Sequence, residues 1–261
     1  MLRKALFFAA LLIAQSAAAL SPSQQVAVGT KNVKVEVDRL IRGEQPTLWL
    51  SGEDLGKVTR NASQQIGTLT SRYGSISFIQ GTDGSKPSLI RGTAGRWVFS
   101  FDGSADTMTS TSIGTDIWGL SGKTSFVVAV PAAVAAGPYT VLRDSDATTK
   151  SRLYIDTSKW ATRNYDGSND TEATHAAVVG VPALYVSGHD GTNISTWLSR
   201  GGAASVASGA TSSLAGTLMF GAGSAAHYFS GNILEVIIFN RVLPVAVREQ
   251  IRQGLREKWG A

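Results

Sequence analysis

The chain of 261 residues contains no cysteine, which excludes a disulfide framework and a lipid-modified cysteine and leaves stability to burial alone. Charged residues are scarce at 16%, and the three histidines, His175, His189 and His227, stand outside any motif with arginine and tyrosine that a polysaccharide lyase would need. Each reads as a surface or turn residue. A G-x-S-x-G elbow is missing, which excludes a nucleophilic serine of the hydrolase type. Clusters of transition-metal ligands are missing too. A repeat of fixed period is absent, so solenoids and propellers lose support. No basic stripe interleaved with stacking aromatics exists, which argues against nucleic acid as a partner. The N-terminal apolar run, Ala5 to Ala14, falls short of the roughly 20 residues that span a bilayer, so a stable membrane anchor is not expected.

What is present is organised for export and for β structure. Arg3 and Lys4, the apolar run and Ala17-Ala18-Ala19 make residues 1–19 a secretory signal, or alternatively an apolar N-terminal helix that docks in a virion. Setting that segment aside leaves 22 basic against 19 acidic residues, a small excess gathered largely on the C-terminal helix. Residues 20–45 form a polar lead-in whose "VKVEV" (Val33 to Val37) alternates like an edge strand or a pairing arm. From residue 46 to 261, apolar runs separated by Gly, Ser, Thr and Asn predict many short strands in one domain. Phe126 to Val130 is continuously apolar and expects burial on both faces. "YTVLRD" and "SRLYID" read as one hairpin, "ALYVSGH" and "NISTWLS" as another, and Gly201 to Gly216 as a rim loop. Two facing antiparallel sheets are the simplest packing. At the end, Ile233 to Phe239 reads as a buried strand. Pro244 then opens a helix over 244–259, with Val247, Ile251, Leu255 and Trp259 on its packed face.

Four segments carry a resemblance in the right order. The terminal strand and helix, "PTLWLSGEDL" (Pro46 to Leu55), "WVFSFDGSADTMTS" (Trp97 to Ser110), and the pair "TSFVVAVPAA" and "ALYVSGHDGTNISTWLSRGG" resemble bacterial and phage domains of the concanavalin A-like lectin/glucanase superfamily, in the laminin G-like (LamG) branch. The resemblance implies an all-β fold, a two-sheet antiparallel β-sandwich of jelly-roll type with a C-terminal α-helix. It also implies a non-catalytic extracellular module that recognises a glycan or a cell-surface partner through edge loops. A structural phage virion protein, of tail or capsid accessory type, is the alternative, and a divergent glycan hydrolase a third reading. The E-x-D-x-x-E spacing of the related glucanases is absent: Glu235 stands alone in its strand, Glu36 and Asp38 lie in the lead-in, and Asp144 and Asp146 flank a turn without a third carboxylate. The expected location is secreted, periplasmic or extracellular, with the virion as alternative.

Sugar binding asks for an aromatic platform beside hydrogen-bonding amides and carboxylates. The polar segment Thr157 to His175 supplies Trp160, Arg163, Asn164, Tyr165, Asp166, Asn169 and Asp170, and it is the preferred patch, read as a loop. Trp49, Trp97, Trp197 and Trp259 fall in strands or on the helix stripe and read as core. Calcium is the one cofactor with support, since laminin G-like modules take it through loop oxygens; Asp102, Asp106, Asp190 and Asn193 are the candidate ligands.

Overall fold

A strand buried on both faces needs apolar residues at every position, and a strand with one wet face needs them at alternate positions. Both kinds occur here. The computed structural model describes residues 36–92, 95–113, 117, 122–134, 139–145, 152–156, 158–165, 170–190, 192–198, 205–208, 216–222 and 227–261. Residues 1–19 and most of the lead-in lie outside these residues.

A helix described over residues 36–43, α1, precedes the strands. In chain order these are β1 (Leu48–Ser51), β2 (Val58–Arg60), β3 (Ile66–Thr70), β4 (Ser77–Ile79), β5 (Ser88–Arg91), β6 (Trp97–Asp102), β7 (Met108–Ile113), β8 (Lys123–Pro131) and β9 (Tyr139–Asp144). They continue as β10 (Arg152–Asp156), β11 (Lys159–Tyr165), β12 (Asp170–Ala176), β13 (Ala183–His189), β14 (Asn193–Leu198), β15 (Ser205–Ser208), β16 (Thr217–Phe220) and β17 (Ser230–Phe239), before helix α2 (Val245–Trp259). Among the described residues they form two antiparallel sheets. Sheet A has the order β15-β14-β13-β8-β17-β6-β5, with β1 also on β17; sheet B has the order β12-β11-β10-β9-β16-β7-β4-β3-β2.

The expected two-sheet antiparallel sandwich with a C-terminal helix is the fold observed. Sheet A is covered twice. Val127 and Ala129 of β8 and Ile233, Val236 and Ile238 of β17 enter the core between the sheets, while Phe126, Val128, Leu234, Ile237 and Phe239 enter a second core beneath the helices. This double burial is why both strands are continuously apolar. Ile251, Leu255 and Trp259 of α2 close that second core, each worth roughly 1.5–3 kcal/mol for leaving water. Gly260, at φ 69°, caps α2 in the left-handed region and donates its N–H to the Arg256 carbonyl at 2.7 Å.

Three local expectations are corrected. Glu36 and Val37, read as part of an alternating strand, belong to α1, because Val37 and Ile41 fall one helical turn apart and both are buried in the second core. Tertiary packing overrides the β-preference of valine there. The close approach depends on Gly254, since a β-carbon at that position would sit 2.6 Å from Val37 Cγ2. The segment around Trp160 is a hairpin, β11 with β12, rather than a loop. Ser205–Ser208, inside the expected rim loop, pairs with β14 as strand β15.

Candidate functional site

Sheet B has no helix layer among the described residues; its outer face is exposed at Thr59, Ile79 and Thr111 and buried at Thr140, Arg143, Tyr154 and Ala161. Its inner face is fixed by Leu69, Phe78, Met108, Leu142, Leu153 and Phe220, which all join the inter-sheet core. Alternation then turns the neighbouring positions outward. These outward residues align in one row that crosses the described strands of the sheet. It runs from Thr59 through Thr68, Ile79 and Thr109 to Met219. It continues through Arg143 and Arg152 to Arg163 in β11, whose backbone partner is Glu172 of β12. With neighbouring strands about 4.8 Å apart, the row is roughly 35 Å long, the reach of a polymer chain rather than of one small molecule.

The row changes character along its length. From β2 to β16 it presents threonines with Ile79, 51% exposed, and the half-buried Met219. From β9 to β11 it presents three arginines. Arg143 is buried, and its Nε–H donates to the Asp144 carbonyl at 2.8 Å. Burial first, and then the neighbouring Arg152 guanidinium, pull Arg143 below the usual arginine range, with Asp144 opposing. The Arg152 guanidinium lies 4.0 Å from the centre of the Tyr154 ring, two residues further along the same strand face. Its Nε is shielded from water and meets no hydrogen-bond partner among the described residues.

The sequence-chosen patch is divided by the structure. Trp160 is no platform: it points into the inter-sheet core, 1% exposed, with its ring stacked 5.7 Å from Tyr185 at an interplanar angle of 17°. The correction follows from strand alternation, which sends Trp160 and Thr162 inward and Arg163 outward. Thr162 Oγ1 and the Tyr185 hydroxyl share a hydrogen bond of 3.0 Å across the sheets. Arg163 thus remains on the accessible face. Asn164, Tyr165 and Asp170 have their backbones in the hairpin, and Asp166 and Asn169 lie outside the described residues.

The calcium candidates fall into two separate turns. Asp102 ends β6 opposite Ser230, beside the Pro131 end of β8, whereas His189 just before Asp190 pairs with Lys123 at the other end of β8. That nine-residue strand separates them by roughly 25 Å. In the first turn, burial would raise the Asp102 carboxyl, but hydrogen bonds from Ser104, Ala105 and Asp106 outweigh it and hold the pKa near about 2. Desolvation pushes Asp106 up to about 6. In the second turn, the N–H groups of Asn193 and Thr192 hold Asp190 below the carboxylate range. Among the described residues, no group of three or more His, Asp or Glu side chains is arranged to hold a metal ion.

The remaining acidic candidates are committed to the interior. Glu235 lies beneath α2, where it accepts from Trp49 Nε1 at 2.6 Å, from Lys258 Nζ at 2.9 Å and from Trp259 Nε1. Lys258 also reaches Asp38 of α1 at 3.0 Å. Asp144 is buried, and Asp146 is outside the described residues. The histidines likewise differ from the surface reading. His189 is buried in β13, and His175 Nε2 lies 2.8 Å from the Thr196 carbonyl, tying β12 to β14.

Trp97 was read as core, and in part it is, because it packs against the inter-sheet core. Its ring also carries Arg91 at 4.4 Å and Arg60 at 5.2 Å. Periodicity pointed to neither this cluster nor the arginine row, since Arg143, Arg152 and Arg163 come from three strands and meet only through register.

No family model matches the chain, and no curated protein matches it in sequence. Solved structures do. The receptor-binding domain of botulinum neurotoxin D is similar over 81% of this chain and 53% of its own, with a TM-score of 0.57 and 12% identity. The binding domain of botulinum neurotoxin DC in complex with SialylT matches 81% of this chain and 52% of its own, with a TM-score of 0.58 and 10% identity. The chain therefore spans about half the length of these toxin domains. Domain 4 of AbnA, a GH43 extracellular arabinanase from Geobacillus stearothermophilus, solved in complex with arabinotriose, is matched over 98% of its length and 80% of this chain, with a TM-score of 0.54 and 11% identity. At such identities the likeness establishes the fold, a β-sandwich shared with binding domains.

Proposed function

We propose that the protein is a non-catalytic, exported binding module that holds a glycan along the outer face of sheet B. The observation that carries this reading is the outward row from Thr59 to Arg163, set on the sheet that the helices leave uncovered. Hydroxyls and apolar groups along one part of the row, followed by guanidinium groups, suit a sugar chain, whose rings have apolar faces and polar rims. Similar domains that bind SialylT or arabinotriose lend support. The burial of Glu235 and Asp144 supports the absence of catalysis, since a glycosidase needs two carboxylates flanking a reachable bond. Export rests on the basic and apolar pattern of residues 1–19, and cleavage after Ala19 in the protein isolated from its host is the expected result.

The test is a glycan-array screen of the purified chain, followed by incubation of each hit with the protein. Binding without release of reducing ends is expected. Release of reducing ends would replace the reading by a hydrolase, and an array without hits would remove the glycan.

A further inference from the structure

Among the described residues, arginines stack on four tryptophan rings, and one of the four differs from the rest. Arg72 over Trp49 reaches Asp38 at 2.7 Å, Arg96 over Trp259 reaches Glu53 at 3.5 Å, and Arg248 over Trp197 reaches Glu249 at 3.8 Å. The two arginines over Trp97 have no carboxylate within ion-pair distance among the described residues. Arg60, 5.2 Å from the ring centre, makes no side-chain hydrogen bond there either, and Arg91, at 4.4 Å, makes one, from Nη1 to the Gly95 carbonyl at 2.5 Å. The acids of the adjoining segments are engaged elsewhere: Glu53 with Arg96, Asp54 with Arg72 at 3.2 Å and Asp83 with Lys86 at 2.5 Å. Two like charges thus share one ring without a counter-charge.

The strands explain how the pair arises. Arg91 ends β5, the edge of sheet A, directly opposite Trp97, and Leu89 on the same strand face belongs to the inter-sheet core. Arg60 ends β2, the edge of sheet B, where a register shift after Thr59 sets it opposite the core residue Ile66. The two edges meet through the bridge from Gln65 to Ser88, so the arginines converge at the mouth between the sheets. That mouth is open: Arg60 and Arg91 are exposed and Trp97 is half-buried. The guanidinium groups lie within about 10 Å of each other, one screening length in 0.1 M salt, so each feels the other's charge. A guanidinium stacked on an indole keeps its in-plane N–H groups directed away from the ring, in the fork that fits an oxyanion.

We propose that Arg60 and Arg91, oriented by Trp97, form an anion subsite at the β2 end of the outward row, which takes a carboxylate or sulfate carried by the glycan. The proposal rests on the glycan reading and adds that the ligand is acidic. Thr59, where the row begins, directly precedes Arg60, so a sugar chain lying on the row meets the subsite as it passes the edge of sheet B.

Calorimetry on the whole protein with galacturonate oligomers, sulfated galactose oligomers and neutral galactose oligomers of the same length tests this. One of the two acidic sugars is expected to bind at least about tenfold more tightly than the neutral one, and which of them does so names the anion. The double variant Arg60→Gln with Arg91→Gln removes exposed side chains, so its melting temperature should stay close to wild type while the preference for acid is lost. Arg256→Gln, which removes an exposed charge from α2, should leave the preference as it was. A preference that survives the double variant, or that falls equally in Arg256→Gln, overturns the subsite. If acidic sugars bind no more tightly than neutral ones, the subsite falls and the glycan reading stands; if no glycan binds in any assay, both fall.

Discussion

Removing the Trp160 indole would empty a space bounded by Tyr185 and the facing sheet. Trp160→Ala is expected to destabilise the protein by about 3–5 kcal/mol in urea unfolding, as for other large aromatics cut from a core. A surface platform would lose binding with little loss of stability, so the two roles separate in one measurement. Asp106 makes the second prediction, through its titration. Its pKa is raised to about 6 in the fold from an ordinary value of 3.8, so its stabilising contribution is complete below 3.8 and is lost as pH rises through 6. Asp102, lowered to about 2, acts in the other direction and only as pH falls below 3.8. Asp106→Asn keeps an oxygen to accept the Asp102 N–H. It should abolish the decline in stability between about pH 4 and pH 6, a change on the order of 1 kcal/mol after solvent screening. An unchanged pH profile would show that Asp106 titrates normally.

The contact between α1, β17 and α2 is held by charge as well as by apolar packing. A bulge in β17, where Ile233 and Glu235 face the consecutive Ala129 and Val128, leaves Leu234 and Glu235 both pointing at the helices. Lys258 then joins Glu235 to Asp38. Lys258→Met leaves the buried Glu235 without a cation while Asp38 keeps Arg72 at 2.7 Å, and a loss of about 3 kcal/mol is expected in chemical unfolding. Adding Glu235→Gln should recover part of that loss, since the pair is coupled; strict additivity would show that the charges act independently. The sequence already carried the β17 strand, the α2 stripe and the β9–β10 and β13–β14 hairpins, because each is encoded by periodicity within a short window. It misplaced Val37 and Trp160 for one physical reason. Their surroundings are set by partners far along the chain, Gly254 and Tyr185, which local pattern does not report. The arginine row is illegible in the same way: the sequence offers Arg163 within a segment read as a loop and does not join it to Arg143 or Arg152.

Across the whole molecule, the two sheets are unequal. Sheet A spends its outer face on α1 and α2, while sheet B keeps a long outward row. Matched charge changes on the two sides distinguish a ligand face from a general charge effect. Thr109→Glu places a carboxylate in the row, two strand spacings or about 10 Å from Arg143. Gln253→Glu places the same charge on the solvent side of α2, on the opposite face of the sandwich. Both alter net charge by one unit, and neither touches a core residue, so melting temperatures should stay close to wild type. Glycan binding should weaken by about tenfold or more for Thr109→Glu, through blocked contact on the row, and by less than about twofold for Gln253→Glu. Equal weakening would mean that the ligand responds to net charge alone. Selective weakening by Gln253→Glu would move the binding face to the helices, where the 670 Å³ cleft between α1 and α2, lined by Glu36, Arg39 and Glu257, would take the place of the row.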